Sequence, residues 1–172
     1  SAESDVYKRQ VTALPEVDES YPDTLSGEEI PLYISQEKAA AYRRFMKDNT
    51  LLITADTIVW LDGKVYGKPR DIADAKAMLQ ALLGKTHTVI TGVTLTSLQK
   101  QISFAVSTEV TFAALGDDEI DYYVEKYRPL DKAGAYGVQE WIGYIGVTGL
   151  KGSYYNVMGL PIQRLYTELK KF

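Results

Sequence analysis

Leu51-Leu52-Ile53-Thr54-Ala55-Asp56-Thr57-Ile58-Val59-Trp60 runs into Leu61-Asp62-Gly63, and this stretch decides the fold. It is rich in β-branched residues, which suit a pleated, half-buried surface. Asp62-Gly63 is the strongest short hairpin signal a sequence offers, because a tight turn of the matching twist needs positive φ at both positions. A strand over Leu51 to Trp60 that closes into a strand pair follows. One acidic residue interrupts it. Burying an unpaired carboxylate is expensive, so Asp56 is either a metal ligand or general base, or a residue that caps a turn or faces solvent on an edge strand. The residues alone leave both readings open.

Working outward, Val11 to Val17 reads as a short strand. Ser26-Gly27-Glu28-Glu29 forms a capping box, with Pro31 at an early helical position, and a helix to about Lys47 is expected. Its apolar residues Ile30, Ile34, Ala41, Phe45 and Met46 follow the helical period only loosely, so the capping signal carries that expectation. Beyond the hairpin, Asp71 is a suitable N-cap for a helix over Ile72 to Leu83, with Gly84 placed to end it. Thr86 to Leu98 and Gln101 to Ala113 read as one long antiparallel hairpin, in which Ile102, Phe104, Val106, Val110 and Phe112 alternate. Asp117 to Tyr127 returns to helix under N-terminal acidic charge. Seven of the thirteen glycines fall between Gly134 and Gly159, which predicts short strands and functional loops. Pro161 opens a last helix with Ile162, Leu165, Tyr166 and Leu169 at helical spacing. Strands and helices in this order predict an α/β or α+β domain on a long, twisted mixed sheet.

At 172 residues, 45% hydrophobic and 24% charged, the chain has the composition of one ordinary soluble domain. It has no cysteine, which excludes a disulfide framework and thiolate chemistry and makes the cytoplasm the default location. No apolar run is long enough to cross a bilayer, and Ser1 to Gln10 has no signal-peptide core. A formal charge of −4 argues against binding a nucleic-acid polymer. An anionic ligand must therefore meet a local basic site.

Lys68, in Gly67-Lys68-Pro69, could be projected by a rigid turn toward the strand end that carries Asp56, or be an exposed loop lysine. Lys38, among Ala39-Ala40-Ala41, lies on a helix whose small residues allow close packing on a sheet; alone it is an ordinary surface lysine. Glu19 follows a strand end, where metal-binding carboxylates and plain turn residues both occur. The single histidine, His87, excludes histidine dyads and multi-histidine metal sites and reads as structural. Carboxylates with lysines suit oxygen-ligated Mg²⁺ or Mn²⁺ and phosphate substrates. A Walker loop, a Gly-x-Gly-x-x-Gly fingerprint and a Gly-x-Ser-x-Gly elbow are all absent.

Taken as a set, Thr54-Ala55-Asp56-Thr57-Ile58-Val59, Gly67-Lys68-Pro69, Gly84-Lys85-Thr86-His87 to Thr91-Gly92-Val93, Lys132-Ala133-Gly134-Ala135-Tyr136-Gly137-Val138-Gln139 and Gly152-Ser153-Tyr154-Tyr155-Asn156-Val157-Met158-Gly159-Leu160-Pro161 resemble the signature of the Maf family of nucleotide pyrophosphatases. The resemblance implies two lobes around a cleft. There a nucleoside triphosphate is cleaved between its α and β phosphates with a divalent metal, giving monophosphate and pyrophosphate. It makes Asp56 the catalytic base and, with Glu19, the metal site, and it makes Lys38 and Lys68 phosphate contacts. Thr57 and Gln139 resemble the subgroup acting on dTTP and UTP, and a glutamine amide suits the carbonyl and imide edge of uracil or thymine. Asp131 and Lys132 either support the cleft or form a structural ion pair.

The beginning departs from the family pattern. A first strand ending in a Ser-x-Ser-Pro-Arg-Arg-like phosphate loop has no counterpart, so Ser1 to Gln10 read as an unmatched leader before a single domain over 11–172, and sheet edges would be left unpaired. The alternative to a working enzyme is a truncated, catalytically weak nucleotide-binding regulator. An inosine-triphosphate type of purine pyrophosphatase fits Gln139 and the motif set less well. Related folds often dimerise, so a homodimer is a further expectation, and no membrane partner is expected.

Overall fold

The computed structural model describes residues 16–172. The expected leader Ser1 to Gln10 and most of the strand expected over Val11 to Val17 lie outside the described residues, and Glu16 and Val17 themselves are in no strand. Five strands follow: β1 Leu52–Leu61, β2 Lys64–Tyr66, β3 Thr86–Thr96, β4 Gln101–Phe112 and β5 Val147–Lys151. They form one sheet in the order β2-β1-β3-β4-β5. The α/β architecture holds, and each pairing among the described residues is antiparallel rather than mixed. The hairpin turn is where it was expected, with φ of 52° at Asp62 and 77° at Gly63. β2 pairs with β1 only at Val59, Trp60 and Leu61. Among the described residues, the outer edge of β1 from Leu52 to Ile58 therefore meets no strand.

The helices are α1 Glu29–Tyr42, α2 Ile72–Leu82, α3 Asp117–Tyr127, α4 Trp141–Gly146, α5 Tyr154–Val157 and α6 Ile162–Leu169. Half of the expected capping box forms: the Ser26 N–H donates to the Glu29 carboxylate at 3.0 Å, while the N-cap position is Glu28. α1 stops short of Lys47, passing into a 3₁₀ turn over Arg43–Phe45 and an extended Met46, where the apolar Phe45 expected to anchor the helix is instead exposed. Asp71 caps α2 as expected, accepting from Asp74 N–H at 2.8 Å. The glycine-rich segment holds β5 but also two short helices that were not foreseen. Glycine lowers helix propensity, and α4 and α5 are fixed instead by tertiary burial of Ile142 and Asn156.

Strand alternation sorts the core onto two faces. On one face Ile58 and Ile90 pack with Ile30 and Ile34 of α1. On the other, Val59, Val89, Val110 and Phe112 pack with Leu79 and Leu82 of α2 and with Ile120, Tyr123 and Val124 of α3. Farther along that second face, Val93, Leu95 and Phe104 pack with Leu165 of α6. Among the described residues, no helix is long and apolar enough to cross a membrane.

Candidate active site

α1 lies very close to the sheet. A methyl added to Gly92 on β3 would stand 2.4 Å from the carbonyl carbon of Pro31, so only glycine lets the helix backbone rest there. Polar groups bind the contact: Thr54 donates to Ser35 O at 2.7 Å, and the Ser35 hydroxyl meets that of Thr94 at 2.8 Å. Lys38 lies three residues beyond Ser35 on the same face of α1, and Asp56 lies two beyond Thr54 on the same face of β1. These two periodicities bring Lys38 Nζ to 2.8 Å from Asp56 Oδ1.

Glu19 joins them. Its Oε1 is 3.1 Å from Lys38 Nζ and its Oε2 is 3.3 Å from Lys68 Nζ, giving a chain of Asp56, Lys38, Glu19 and Lys68. Burial works to raise the pKa of Glu19, but hydrogen bonding and charge from Lys38 and then Lys68 outweigh it and hold the carboxyl below its ordinary value. Burial is also the largest influence on Asp56, and there it prevails over Lys38, so this carboxyl sits above its ordinary value. Burial pulls Lys38 down, yet Asp56 and Glu19 together hold it above the usual lysine range. The shifts of Lys38 and Asp56 act in opposite senses on their ion pair. Asp56 is the deeper, at 12% exposure against 20%, and it loses more hydration than one shared ammonium restores.

All the residues singled out in the sequence, Glu19, Lys38, Asp56, Thr57, Lys68 and Gln139, line one cleft of about 510 Å³, a volume typical of small-molecule sites. Asp56 and Thr57 are neighbours on β1 and point to opposite sheet faces, yet both line the cleft. Glu19, Lys38 and Lys68 gather with Asp56. Thr57 faces the other way: its hydroxyl is 2.8 Å from that of Thr91 and donates to Gly159 O at 3.4 Å, so it holds the segment bearing Met158 against the sheet. Gln139 is exposed and lines the cleft. The Lys68 turn and the loop of Gln139 are tied together, since Gly134 N–H donates to Gly67 O at 3.1 Å. Asp131 and Lys132, left between two roles by the sequence, do both: they form an ion pair at 3.2 Å and line the cleft.

Tyr136 and Met158 also line the cleft and were given no individual role by the sequence. For Tyr136 the signal was its place among glycines, which bring the backbone close. Its hydroxyl meets His87 Nε2 at 2.7 Å, and the two rings sit edge to face. His87 is thereby structural, as expected. Burial pushes it down to about 4 from 6.5, so it is neutral in the folded protein at neutral pH. An unfolded chain takes up that proton near pH 6.5 while the folded one resists to about 4, so this stability is complete above the unfolded value and is lost as pH falls through the window. Unfolding free energy is expected to drop by about 3 kcal/mol between pH 7 and pH 4 on this account. Urea melts of wild type and His87→Phe should converge as pH falls, and parallel pH dependences would refute the assignment.

The cleft thus holds the linked pair of carboxylates and pair of lysines, Asp56, Glu19, Lys38 and Lys68, together with Asp131, Lys132 and the Gln139 amide on a glycine-rich loop. The model of the Maf-like protein family matches residues 4–172. A dTTP/UTP pyrophosphatase from Phocaeicola vulgatus is 66% identical over 164 residues, covering 95% of this chain and 85% of the relative. The dTTP/UTP pyrophosphatase of Bacteroides thetaiotaomicron is 63% identical over 94% of this chain and 83% of the relative. That of Porphyromonas gingivalis W83 is 54% identical over 93% and 81% respectively.

Proposed function

Because this chain belongs to the Maf-like family, we propose that it hydrolyses dTTP and UTP to the monophosphate and pyrophosphate in this cleft. The observation that carries the reading is the chain of Asp56, Lys38, Glu19 and Lys68 in the same cleft as Gln139. The lysines offer a triphosphate local positive charge, and preorganised charge of this kind stabilises the phosphoryl transition state. When the Lys38 ammonium turns to phosphate, Asp56 is released to accept a proton from a water attacking phosphorus at the α–β linkage. The bond to the bridging oxygen breaks, and pyrophosphate leaves with the negative charge that Lys68 and Lys38 balance. A carboxylate with a raised pKa is a better proton acceptor than an ordinary aspartate. The Gln139 amide pairs donor and acceptor with the edge of a uracil or thymine. Glu19, Lys38, Asp56 and Lys68 together favour turnover over binding without hydrolysis. Such an enzyme works where nucleotides are made and used, so the reading carries a cytoplasmic location with it.

The acidic residues fit a divalent metal. Two carboxylates already share a cation, the Lys38 ammonium, and Mg²⁺ is commonly held by one or two carboxylates with phosphate oxygens and water completing its shell. Among the described residues no group of three or more acidic, histidine or cysteine side chains is placed to hold a metal alone, so the ion would be shared by Glu19, Asp56 and the triphosphate. Bound there, Mg²⁺ or Mn²⁺ would neutralise phosphate charge. Lys38→Met is expected to cut turnover at least about 10²-fold. It is also expected to tighten Mn²⁺ binding without nucleotide by roughly tenfold in calorimetry, because a competing charge has gone. Unchanged Mn²⁺ affinity would count against this pair as the metal site.

The direct test is pyrophosphate release from dTTP, UTP, CTP and GTP with Mg²⁺ or Mn²⁺. Release from dTTP and UTP, with the monophosphate as co-product, is expected. Release from none of the four would sink the reading.

A further inference from the structure

Behind the cleft lies a polar cluster that phosphate chemistry does not explain. Tyr123 on α3 is fully buried, on the helix face that carries Ile120 and Val124, and a buried tyrosine hydroxyl needs partners. It has two, both in the loop before α4. Its hydroxyl donates to Glu140 Oε2 at 2.5 Å and accepts from Gly137 N–H at 3.1 Å. The other oxygen of Glu140 lies 3.3 Å from Lys132 Nζ, so an ion pair joins the two ends of the loop. Gly137 lies directly on that pair: a methyl there would stand 3.0 Å from both Glu140 Cδ and Lys132 Cε. On the other side, a methyl at Gly143 of α4 would stand 1.8 Å from Val138 O, so α4 abuts the loop backbone.

Gln139 sits between these anchors. Val138 is pressed by α4 and Glu140 is gripped by Tyr123 and Lys132, while Gln139 itself is exposed. Its place is inherited from its neighbours. We infer that Tyr123 and Glu140 are positioning residues that set where the Gln139 amide stands in the cleft, and so how strictly a uracil or thymine edge is preferred over cytosine. This rests on the reading above in which Gln139 meets the base. The bond between a hydroxyl and a carboxylate is charge-assisted and short. Removing the hydroxyl strands the Gly137 N–H and leaves Glu140 with Lys132 alone, so the loop relaxes toward whatever satisfies both groups. Asp56 faces α1, which carries Lys38, on the opposite side of the sheet from α3, and neither residue is reached by this change.

The test compares wild type, Tyr123→Phe, Glu140→Gln and the double variant. Melting temperature, kcat and KM with UTP and CTP, and calorimetric Kd for UMP and CMP would be measured. For Tyr123→Phe, KM for UTP and Kd for UMP are expected to rise about tenfold and the values for CTP and CMP less than about twofold, with kcat held. Glu140→Gln, which keeps an acceptor for Tyr123 but loses the ion pair, should fall between, and the double variant should be no worse than Tyr123→Phe. A folded Tyr123→Phe with a lowered melting temperature but unchanged UTP/CTP and UMP/CMP ratios would make Tyr123 a core residue only and overturn the inference. Should Tyr123→Phe not fold, an unchanged ratio in Glu140→Gln does the same. UMP binding needs no turnover. A wild type that prefers UMP but releases no pyrophosphate would remove the pyrophosphatase reading, with the positioning role still decided by the variants' Kd ratios. A wild type with no preference between UMP and CMP would overturn the inference itself.

Discussion

Asp56→Asn is expected to lower kcat by about 10³-fold, within the usual range for losing a positioned general base, while the folded state survives. The substitution keeps the shape of a side chain that is 12% exposed, and Lys38 retains Glu19 at 3.1 Å. Stability should not fall for electrostatic reasons either. Because burial raises the Asp56 pKa above 3.8 in the folded chain, the folded state holds this proton more tightly than the unfolded one. The ionised carboxylate therefore costs stability as pH rises through the window between the two values, and Asn removes that cost. The same shift sets the rate profile: wild-type kcat/KM should lose activity on the acid side with a midpoint above 3.8, and the residual rate of Asp56→Asn should lack that limb. Stopped assays over pH 4 to 8 with a thermal melt of each sample decide it. An unchanged kcat would remove Asp56 from the mechanism.

The second large effect is structural. Gly92→Ala is expected to destabilise the fold by about 3 kcal/mol, because the added methyl meets backbone, 2.4 Å from Pro31 C and 2.5 Å from Leu32 N, and a helix backbone cannot rotate aside as a side chain can. Gly92 is the residue paired with Asp56 across β1 and β3. Lifting α1 there moves Lys38 away from Asp56 and Glu19, so activity should fall further than stability predicts, by at least about tenfold at temperatures where the variant is fully folded. Urea unfolding beside initial rates separates the two losses. A variant as stable as wild type would show that α1 can slide without cost.

What could be read from the sequence was local. The β1 strand, the Asp62-Gly63 turn, the Asp71 cap and α3 over Asp117–Tyr127 each follow from signals within a few residues, and so does the oddity of a carboxylate inside β1. The site residues were recognised as a set through their motifs, but their meeting depends on contacts distant in sequence. Small residues on α1 were expected to allow its close packing. The decisive one is Gly92 on the opposite strand, invisible without knowing that β3 runs beneath Pro31. Tyr123 was given no role in the helix expected over Asp117 to Tyr127, because that helix was read from its acidic start and the partners of the Tyr123 hydroxyl lie in a loop distant in sequence. Helices α4 and α5 were missed because glycine-rich sequence speaks against helix, whereas Ile142 and Asn156 hold them by burial.

Asp56 and Thr57, successive residues on one strand, look to opposite sides of the sheet and line the same cleft from different sides. That makes alignment a functional variable. Side chains along a strand alternate with a period of two, so moving β1 by a single position past β3 would turn every one of them to the other side. A slip in one direction would put Thr57 beneath Lys38 and turn Asp56 to the far side of the sheet; a slip in the other would put Ala55 beneath Lys38 and press the Asp56 carboxylate against the Gly159 segment. A one-residue insertion or deletion between Leu52 and Asp56 that slipped β1 past β3 would leave every functional residue in the chain while parting Asp56 from Lys38. The length of this short stretch is therefore as much a part of the active site as any side chain it carries.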